Sequence, residues 1–134
     1  MPKAKILIVD DDTDFVFFTK TVLEQDGYEV ISAGTGSQGM STLAREKPQL
    51  VILDVIMSSV LDGLTMSRRM AEDPTFRDIP IIMVTSIANT DYCTLFPADE
   101  SVNIDAFLTK PIKPADLTGK IEEVLSKRKD QKEA

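Results

Sequence analysis

The sequence predicts a three-layer α/β sandwich built around a parallel β-sheet. The clearest element is Leu50-Val51-Ile52-Leu53-Asp54, four consecutive apolar residues that end on a carboxylate. Such a run is typical of a strand buried on both faces, which occurs mainly in parallel sheets. Comparable apolar runs recur along the chain and alternate with amphipathic helical segments, as parallel sheets covered by helices require. The connections are short enough for right-handed crossovers.

The remaining elements follow from periodicity and from residues that start or stop helices. Predicted strands cover residues 5–10, 28–33, 50–54, 79–84 and 105–109. Predicted helices cover 14–26, 36–46, 63–72 and a segment beginning at Pro114; a short helix is predicted at 90–96, and Pro97 must end it. Asp12 or Thr13 is expected to cap the first helix, and Gly27 to end it.

The first predicted helix is unusually apolar. Its segment Phe15-Val16-Phe17-Phe18 carries more apolar surface than one core face needs. The preferred interpretation is a broad core face, with Phe15, Phe18 and Val22 on one line of the helix. A partner-binding surface on this helix is the alternative.

Composition favours an ordinary globular domain and excludes several kinds of site. The 134 residues suffice for one domain, expected to have its core at about 4–127 and a charged, fraying tail from Ser126 onward, with residues 128–134 outside the core. A net charge of −7 argues against direct binding of nucleic acid or of an anionic membrane. The chain has no histidine for a zinc site, a single cysteine, Cys93, and no apolar stretch that could span a membrane, so a cytoplasmic location is expected.

Chemically active side chains follow several predicted strands. Asp10 closes the first predicted strand and Asp11 follows it, Asp54 closes the third, Thr85 follows the fourth and Lys110 follows the fifth. Because the carboxyl ends of parallel strands meet at one edge, where such sheets bind ligands, these side chains should converge. Crowded carboxylates repel one another, and a bound cation relieves that repulsion. Oxygen ligands of this kind suit Mg²⁺.

A carboxylate in this setting can also act as a nucleophile. An aspartate that attacks phosphorus forms an aspartyl phosphate. The phosphoryl oxygens then need a metal ion, a hydroxyl donor and a cation nearby. Thr85 offers the hydroxyl and Lys110 the positive charge, so the residue set predicts that one of the carboxylates at this edge can accept a phosphoryl group.

The order of these motifs resembles that of two-component response-regulator receiver domains. The matching segments are Ile-Val-Asp-Asp-Asp, Leu-Asp-Val-Ile-Met, Val-Thr-Ser and Leu-Thr-Lys-Pro, and together they span roughly residues 4–127. The resemblance implies that Asp54 is the phosphorylated aspartate. It also implies that Mg²⁺ is held by Asp10, Asp11, Asp54 and the backbone carbonyl of Ile56.

Further roles follow from the same resemblance. Thr85 would be the switch hydroxyl, Lys110 the invariant lysine and Phe107 the rotating aromatic residue. The implied fold is flavodoxin-like and doubly wound, a five-stranded parallel sheet in the order 2-1-3-4-5. Implied partners are a sensor histidine kinase or a histidine phosphotransfer protein, a downstream protein, and in one alternative a second copy of the chain in a phosphorylation-dependent homodimer. The only catalysis expected is phosphoryl transfer to its own aspartate, so the domain is not expected to be an enzyme acting on other substrates.

The sequence departs from the family pattern in two places, and it leaves two alternative functions open. Ser58 replaces a usual proline, with Asp62-Gly63 one residue later than usual, and the segment between Thr85 and Lys110 is longer and contains Pro97. One alternative function is a receiver-fold interaction module that is not phosphorylated. The other, a small Mg²⁺-dependent phosphatase, expects an aspartate two positions after the nucleophile, where Ile56 stands.

Overall fold

The protein forms one parallel sheet with helices on both faces. The computed structural model describes residues 3–54, 62–86, 106–110 and 112–133. In chain order the strands are β1 Lys5–Val9, β2 Glu29–Ala33, β3 Leu50–Asp54, β4 Ile81–Ser86 and β5 Ala106–Lys110. The helices within these ranges are α1 Thr13–Gln25, α2 Gly36–Glu46, α3 Asp62–Glu72 and α4 Pro114–Glu133.

The sheet has the predicted topology. All four strand pairings are parallel, and the spatial order is β2-β1-β3-β4-β5. The expected order 2-1-3-4-5 is therefore confirmed. The strand order reverses between β1 and β3, and ligands of such sheets usually bind at the carboxyl ends of the strands on either side of that point.

Apolar strands divide the core into two clusters, one on each face of the sheet. Alternate residues of β1 and β3 point to opposite faces, so both strands are buried throughout except at Lys5. One face packs against α1 and α4 through Leu23, Leu117, Ile121 and Val124. The other packs against α2 and α3 through Leu43, Met66 and Met70. Burial on both faces explains why these strands read as uninterrupted apolar runs.

Local signals set the helix ends close to the predicted positions. Asp12 is the N-cap of α1, and its side chain accepts hydrogen bonds from the backbone N–H groups of Asp14 and Phe15. Gly27 follows the end of α1 with φ of +96°, a conformation that favours glycine. Both expectations are confirmed. At the end of α2, Lys47 adopts a left-handed conformation with φ of 50°.

The fourth strand is shifted along the chain from its predicted position. Ile79 does not belong to β4, because its N–H donates to the Phe76 carbonyl at 3.0 Å in a turn, and Pro80 has no N–H to donate. At the other end, Thr85 and Ser86 continue the strand and pair with β5. The predicted boundaries 79–84 are therefore wrong by about two residues at each end.

The last helix is longer than the sequence suggested. The sequence predicts fraying from Ser126, but α4 continues to Glu133. The segment contains three lysines, an arginine, a glutamine and a glutamate, all of which have high helix propensity. An ion pair one turn apart, Lys127 Nζ to Glu123 Oε1 at 3.4 Å, adds a small local stabilisation.

The expectation that Phe18 belongs to the core is wrong. Its side chain is 41% exposed, and that of Phe17 is 75% exposed. The inward line of α1 instead passes through Phe15 and Val16, buried Thr19 and buried Leu23. At about 100° per residue, positions 17 and 18 then face away from the sheet. The two exposed phenylalanines leave the partner-surface interpretation open as a prediction.

Several expectations fall outside the described residues. They are the loop at 55–61 with its departure at Ser58, and the segment 87–105 with its short predicted helix. Among the helices that the structure describes, none combines the length and apolarity that crossing a membrane requires.

Candidate functional site

The carboxyl ends of β1 and β3 bring three carboxylates together. Asp54 is the last residue of β3 and is 6% exposed, while Asp10 directly follows β1 and is 3% exposed. Asp11 follows Asp10 and is exposed. Because β1 and β3 are adjacent and parallel, with Val9 paired to Leu53, the residues after them must lie side by side. Carboxylate oxygens from Asp10, Asp11 and Asp54 all lie within 4.8 Å of one another.

Hydrogen bonds hold the first aspartate in place. The Asp10 N–H donates to the Ala33 carbonyl at 3.0 Å, which ties the end of β1 to the end of β2. Its Oδ1 accepts the Asp12 N–H at 2.9 Å, which closes the turn that follows. The turn gives the three consecutive aspartates distinct environments. Asp10 is buried and hydrogen-bonded, Asp11 is exposed at the edge, and Asp12 caps α1.

The donor set suits a hard divalent cation. Three carboxylates, two of them buried, repel one another strongly where little water can screen them. Ligands that are all oxygens match Mg²⁺ or Ca²⁺ and do not match softer metals. A magnesium ion ordinarily retains several waters and uses few carboxylates, so Asp10, Asp11 and Asp54 are sufficient protein side chains for it.

The strand register places Thr85 and Lys110 along the same edge. Asp54 pairs with Val84, so Thr85 lies one residue further along the neighbouring strand. Thr85 pairs with Thr109, and Ser86 pairs with Lys110 on β5. Thr85 is the penultimate residue of β4, and Lys110 is the last residue of β5. The predicted order of acid, hydroxyl and ammonium across β3, β4 and β5 is therefore present in the sheet.

Phe107 and Ile56 are the other two residues with predicted roles. Phe107 is in β5, where its backbone pairs with Met83. Ile56, whose carbonyl was expected to bind metal, lies outside the described residues.

The sequence did not reveal the contact between Asp10 and Ala33. That contact joins two backbone groups, which every non-proline residue carries, so no residue type signals it. A partial signal exists in the pattern itself. Two apolar runs that end close together in a parallel sheet must pair at their ends, and Ala33 closes the second run.

Comparison with known proteins finds matches in both sequence and structure. A family model of the response regulator receiver domain matches residues 6–122. A probable transcriptional regulator, ycf27, from Porphyridium aerugineum is 35% identical over 126 residues, which is 93% of this chain and 49% of that protein. The chain thus spans about half the length of this relative.

Solved structures agree with the sequence matches. A putative response regulator from Chloroflexus aurantiacus superposes with a TM-score of 0.83 at 28% identity, covering 94% of this chain and 99% of that one. A CheY-like response regulator receiver domain protein from Methanospirillum hungatei gives a TM-score of 0.78 at 31% identity, covering 95% and 97%.

Proposed function

Because the chain belongs to the response-regulator receiver family of two-component signalling, we propose that Asp54 is its phosphoacceptor. The observation that carries this proposal is the cluster of Asp10, Asp11 and Asp54, whose carboxylate oxygens lie within 4.8 Å of one another. A cluster of this kind at the carboxyl edge of a parallel sheet is suited to a cation and a phosphoryl group together.

In the proposed reaction, a carboxylate oxygen of Asp54 attacks the phosphorus of a phosphohistidine on a partner protein. The new O–P bond forms as the P–N bond breaks, and the histidine imidazole leaves. The product is an aspartyl phosphate. Asp54 is 6% exposed, so a donor must reach it from the open edge of the sheet, where the exposed Asp11 also lies.

Magnesium is the cofactor that we propose for this site. Asp10, Asp11 and Asp54 would hold it, together with the backbone carbonyl of Ile56. When bound, the ion offsets negative charge on the carboxylates and on the phosphoryl oxygens. Asp10 Oδ1 already accepts a hydrogen bond from the Asp12 N–H. We therefore propose that Asp10 contacts the metal ion through a water molecule and that Asp11 and Asp54 are the main side-chain ligands.

Thr85 and Lys110 are proposed to respond to the phosphoryl group. The register places Thr85 on the strand next to Asp54 and Lys110 on the strand beyond it. A hydroxyl can donate to a phosphoryl oxygen, and an ammonium can pair with the added charge of about −1.5 to −2. Phe107, on β5, is proposed to change position with Thr85 and so alter the outer surface of the sheet edge.

The proposed partners are a histidine kinase or a histidine phosphotransfer protein upstream and a protein target downstream. A homodimer that forms on phosphorylation is one form of such a target. The relative from Porphyridium aerugineum is named a probable transcriptional regulator, but this chain spans 49% of it. We propose that this domain contacts other proteins and does not directly contact nucleic acid or membrane. The net charge of −7 supports this proposal, and a cytoplasmic location is part of it.

The experiment is phosphorylation by acetyl phosphate, followed by intact mass. We expect the mass of one phosphoryl group to be added in the presence of Mg²⁺ and not after chelation. Asp54→Asn should gain none. Asp14→Asn is the matched control, because it removes one nearby carboxylate, exposed in the first turn of α1, without touching the cluster.

Two results would count against the proposal. One is phosphorylation that proceeds equally without Mg²⁺, and the other is an Asp54→Asn protein that gains the same mass. If the folded wild-type protein gains no phosphate under any condition, the unphosphorylated interaction module becomes the better account.

A further inference from the structure

An open groove lies at the outer edge of the sheet, between β2 and α2, and its wall includes Ala33 beside polar side chains. Its volume is about 260 Å³. Hydroxyl, amide and guanidinium side chains line it, from Ser32, Ser37, Gln38, Ser41, Thr42 and Arg45. None of these residues is acidic, although the chain as a whole carries a net charge of −7. A lining of donors without carboxylates favours an oxygen-rich anionic ligand.

Thr42 is the most buried residue of the lining, with 7% exposure. A threonine hydroxyl can both donate and accept a hydrogen bond, so Thr42 offers a polar contact to a ligand in the groove.

Further donors line the same side of α2. Ser37 lies in the first turn, where backbone N–H groups lack helical acceptors and the helix dipole attracts negative charge. Gln38 accepts the Gly34 N–H through Oε1 at 3.1 Å, so its NH₂ group remains a donor. The turn thus fixes the orientation of the Gln38 amide before any ligand arrives.

Arg45 supplies the positive charge of the groove. Its Nε donates to Glu46 Oε2 at 3.2 Å, which orients the guanidinium and leaves the two terminal nitrogens for an anion. Glu46 is also hydrogen-bonded to Lys5 Nζ at 3.2 Å, so this carboxylate is shared between two cations. Along the helix, Ser37 and Arg45 are about 12 Å apart, which a small elongated molecule can span.

We propose that the groove binds a small hydroxylated phosphate ester, with its phosphate at Arg45 and its hydroxyls on the serine and threonine side chains. The volume is just below the range of about 300–1,000 Å³ that drug-sized ligands occupy, so the ligand is smaller than a nucleotide. This ligand is distinct from the phosphodonor of Asp54 and does not depend on the proposed function.

The test is an NMR titration of the ¹⁵N-labelled protein with glycerol 3-phosphate, inorganic phosphate and glycerol at constant ionic strength. A chelator removes divalent cations, so that the aspartate cluster cannot recruit phosphate through a metal. We expect saturable shifts confined to residues 32–45. Glycerol 3-phosphate should bind more tightly than inorganic phosphate, because the hydroxylated part adds contacts, and glycerol should cause no saturable shift.

Three variants assign the contacts. Arg45→Gln should weaken binding of glycerol 3-phosphate by about tenfold, the usual effect of losing one charge-assisted contact. Thr42→Val keeps the shape, removes the hydroxyl and should also weaken binding. Arg68→Gln, an exposed arginine of α3 that does not line the groove, should leave it unchanged.

Each contrary result overturns the proposal. An absence of saturable shifts shows that the groove holds no such ligand. Equal affinity for inorganic phosphate and glycerol 3-phosphate shows that the hydroxyl lining contributes nothing. Equal losses in Arg45→Gln and Arg68→Gln show only nonspecific attraction of anions.

Discussion

Asp12 donates its backbone N–H to Oδ1 of Asp10 at 2.9 Å, so the first aspartate of the run holds the turn that presents the second. The same Asp10 is anchored by its own N–H to the Ala33 carbonyl at 3.0 Å. The buried Asp10 carboxylate therefore has a structural role, as a hydrogen-bond acceptor, as well as an electrostatic role. Substitution can separate these two roles, because asparagine keeps an accepting oxygen and loses the charge.

The first prediction compares Asp10→Asn with Asp10→Ala in metal-free buffer. Both variants remove one charge from the cluster, but only alanine removes the acceptor for the Asp12 N–H. We expect Asp10→Ala to be less stable than Asp10→Asn by about 1 kcal/mol, measured by urea unfolding. Equal free energies of unfolding would show that the hydrogen bond does not hold the turn.

The second prediction concerns two glycines in helices. A Cβ added to Gly39 of α2 would lie 2.8 Å from Met66 Sδ and 3.0 Å from Val9 Cγ2. Met66 and Val9 are fully buried, so neither can move aside freely. Overpacking costs about 1–3 kcal/mol, more than the gain in helix propensity of about 1 kcal/mol, so Gly39→Ala should destabilise the protein.

Gly119 of α4 is the matched control for Gly39. It is exposed, and a Cβ there would meet nothing within 4 Å. Gly119→Ala should therefore stabilise the protein by about 0.5–1 kcal/mol through helix propensity alone. Thermal or urea unfolding should give effects of opposite sign for the two substitutions. The same sign for both would refute the assignment of a close helix approach at Gly39.

The third prediction concerns Thr19 in α1. Its side chain is fully buried, and its Oγ1 has no hydrogen-bond partner among the residues that the structure describes. Thr19→Val preserves the shape and removes the unpaired hydroxyl, so stability should rise by about 1 kcal/mol. Thr21→Val is a control at an exposed position, where the hydroxyl donates to the Phe17 carbonyl at 2.8 Å. A loss of stability in Thr19→Val would mean that this hydroxyl is satisfied.

The fourth prediction follows from an ion-pair cluster at the other edge of the sheet. Lys5 Nζ lies 3.2 Å from Glu46 Oε1 and 3.4 Å from Glu29 Oε2. The hydrogen bond from Lys5, and then that from Arg45, holds the pKa of Glu46 below its ordinary value of 4.5. The hydrogen bonds to Glu46 and then Glu29 raise the pKa of Lys5 above 10.5.

These shifts fix the sign of the pH dependence. A carboxyl with a lowered pKa stabilises the fold above its unfolded value and loses that contribution as pH falls through the folded value. The stability difference between wild type and Lys5→Met should thus be present at pH 7 and shrink below pH 4.5. It should also shrink as pH rises beyond 10.5, where Lys5 loses its proton. Unfolding at several pH values checks this, and a difference that is constant with pH would contradict it.

The sequence was informative wherever a pattern depended on side-chain type. Apolar runs such as Leu50–Asp54 located the strands, because strands buried on both faces are apolar throughout. The aspartates at the strand ends located the cluster, because parallel strands joined by right-handed crossovers place their carboxyl ends at one edge of the sheet. Asp12 and Gly27 marked helix ends through well-defined capping preferences.

The sequence was less informative where tertiary packing decided the outcome. The rotation of α1 about its axis, which exposes Phe17 and Phe18 and buries Thr19, depends on how the helix meets the sheet. An apolar run on all sides of a helix gives no single direction. The close approach of α2 to Met66 at Gly39, and the groove beside Thr42, also arise from the placement of whole elements.

The most direct measurement of the central claim is chemical mapping of the phosphorylated residue. The protein is treated with acetyl phosphate and Mg²⁺ and reduced with borohydride, which converts an aspartyl phosphate to homoserine. Peptide mass spectrometry then locates that homoserine. The account predicts homoserine at position 54, where the buried carboxylate closes β3, and unmodified aspartate at positions 10 and 11. Homoserine at position 10 or 11, with Asp54 intact, would contradict it.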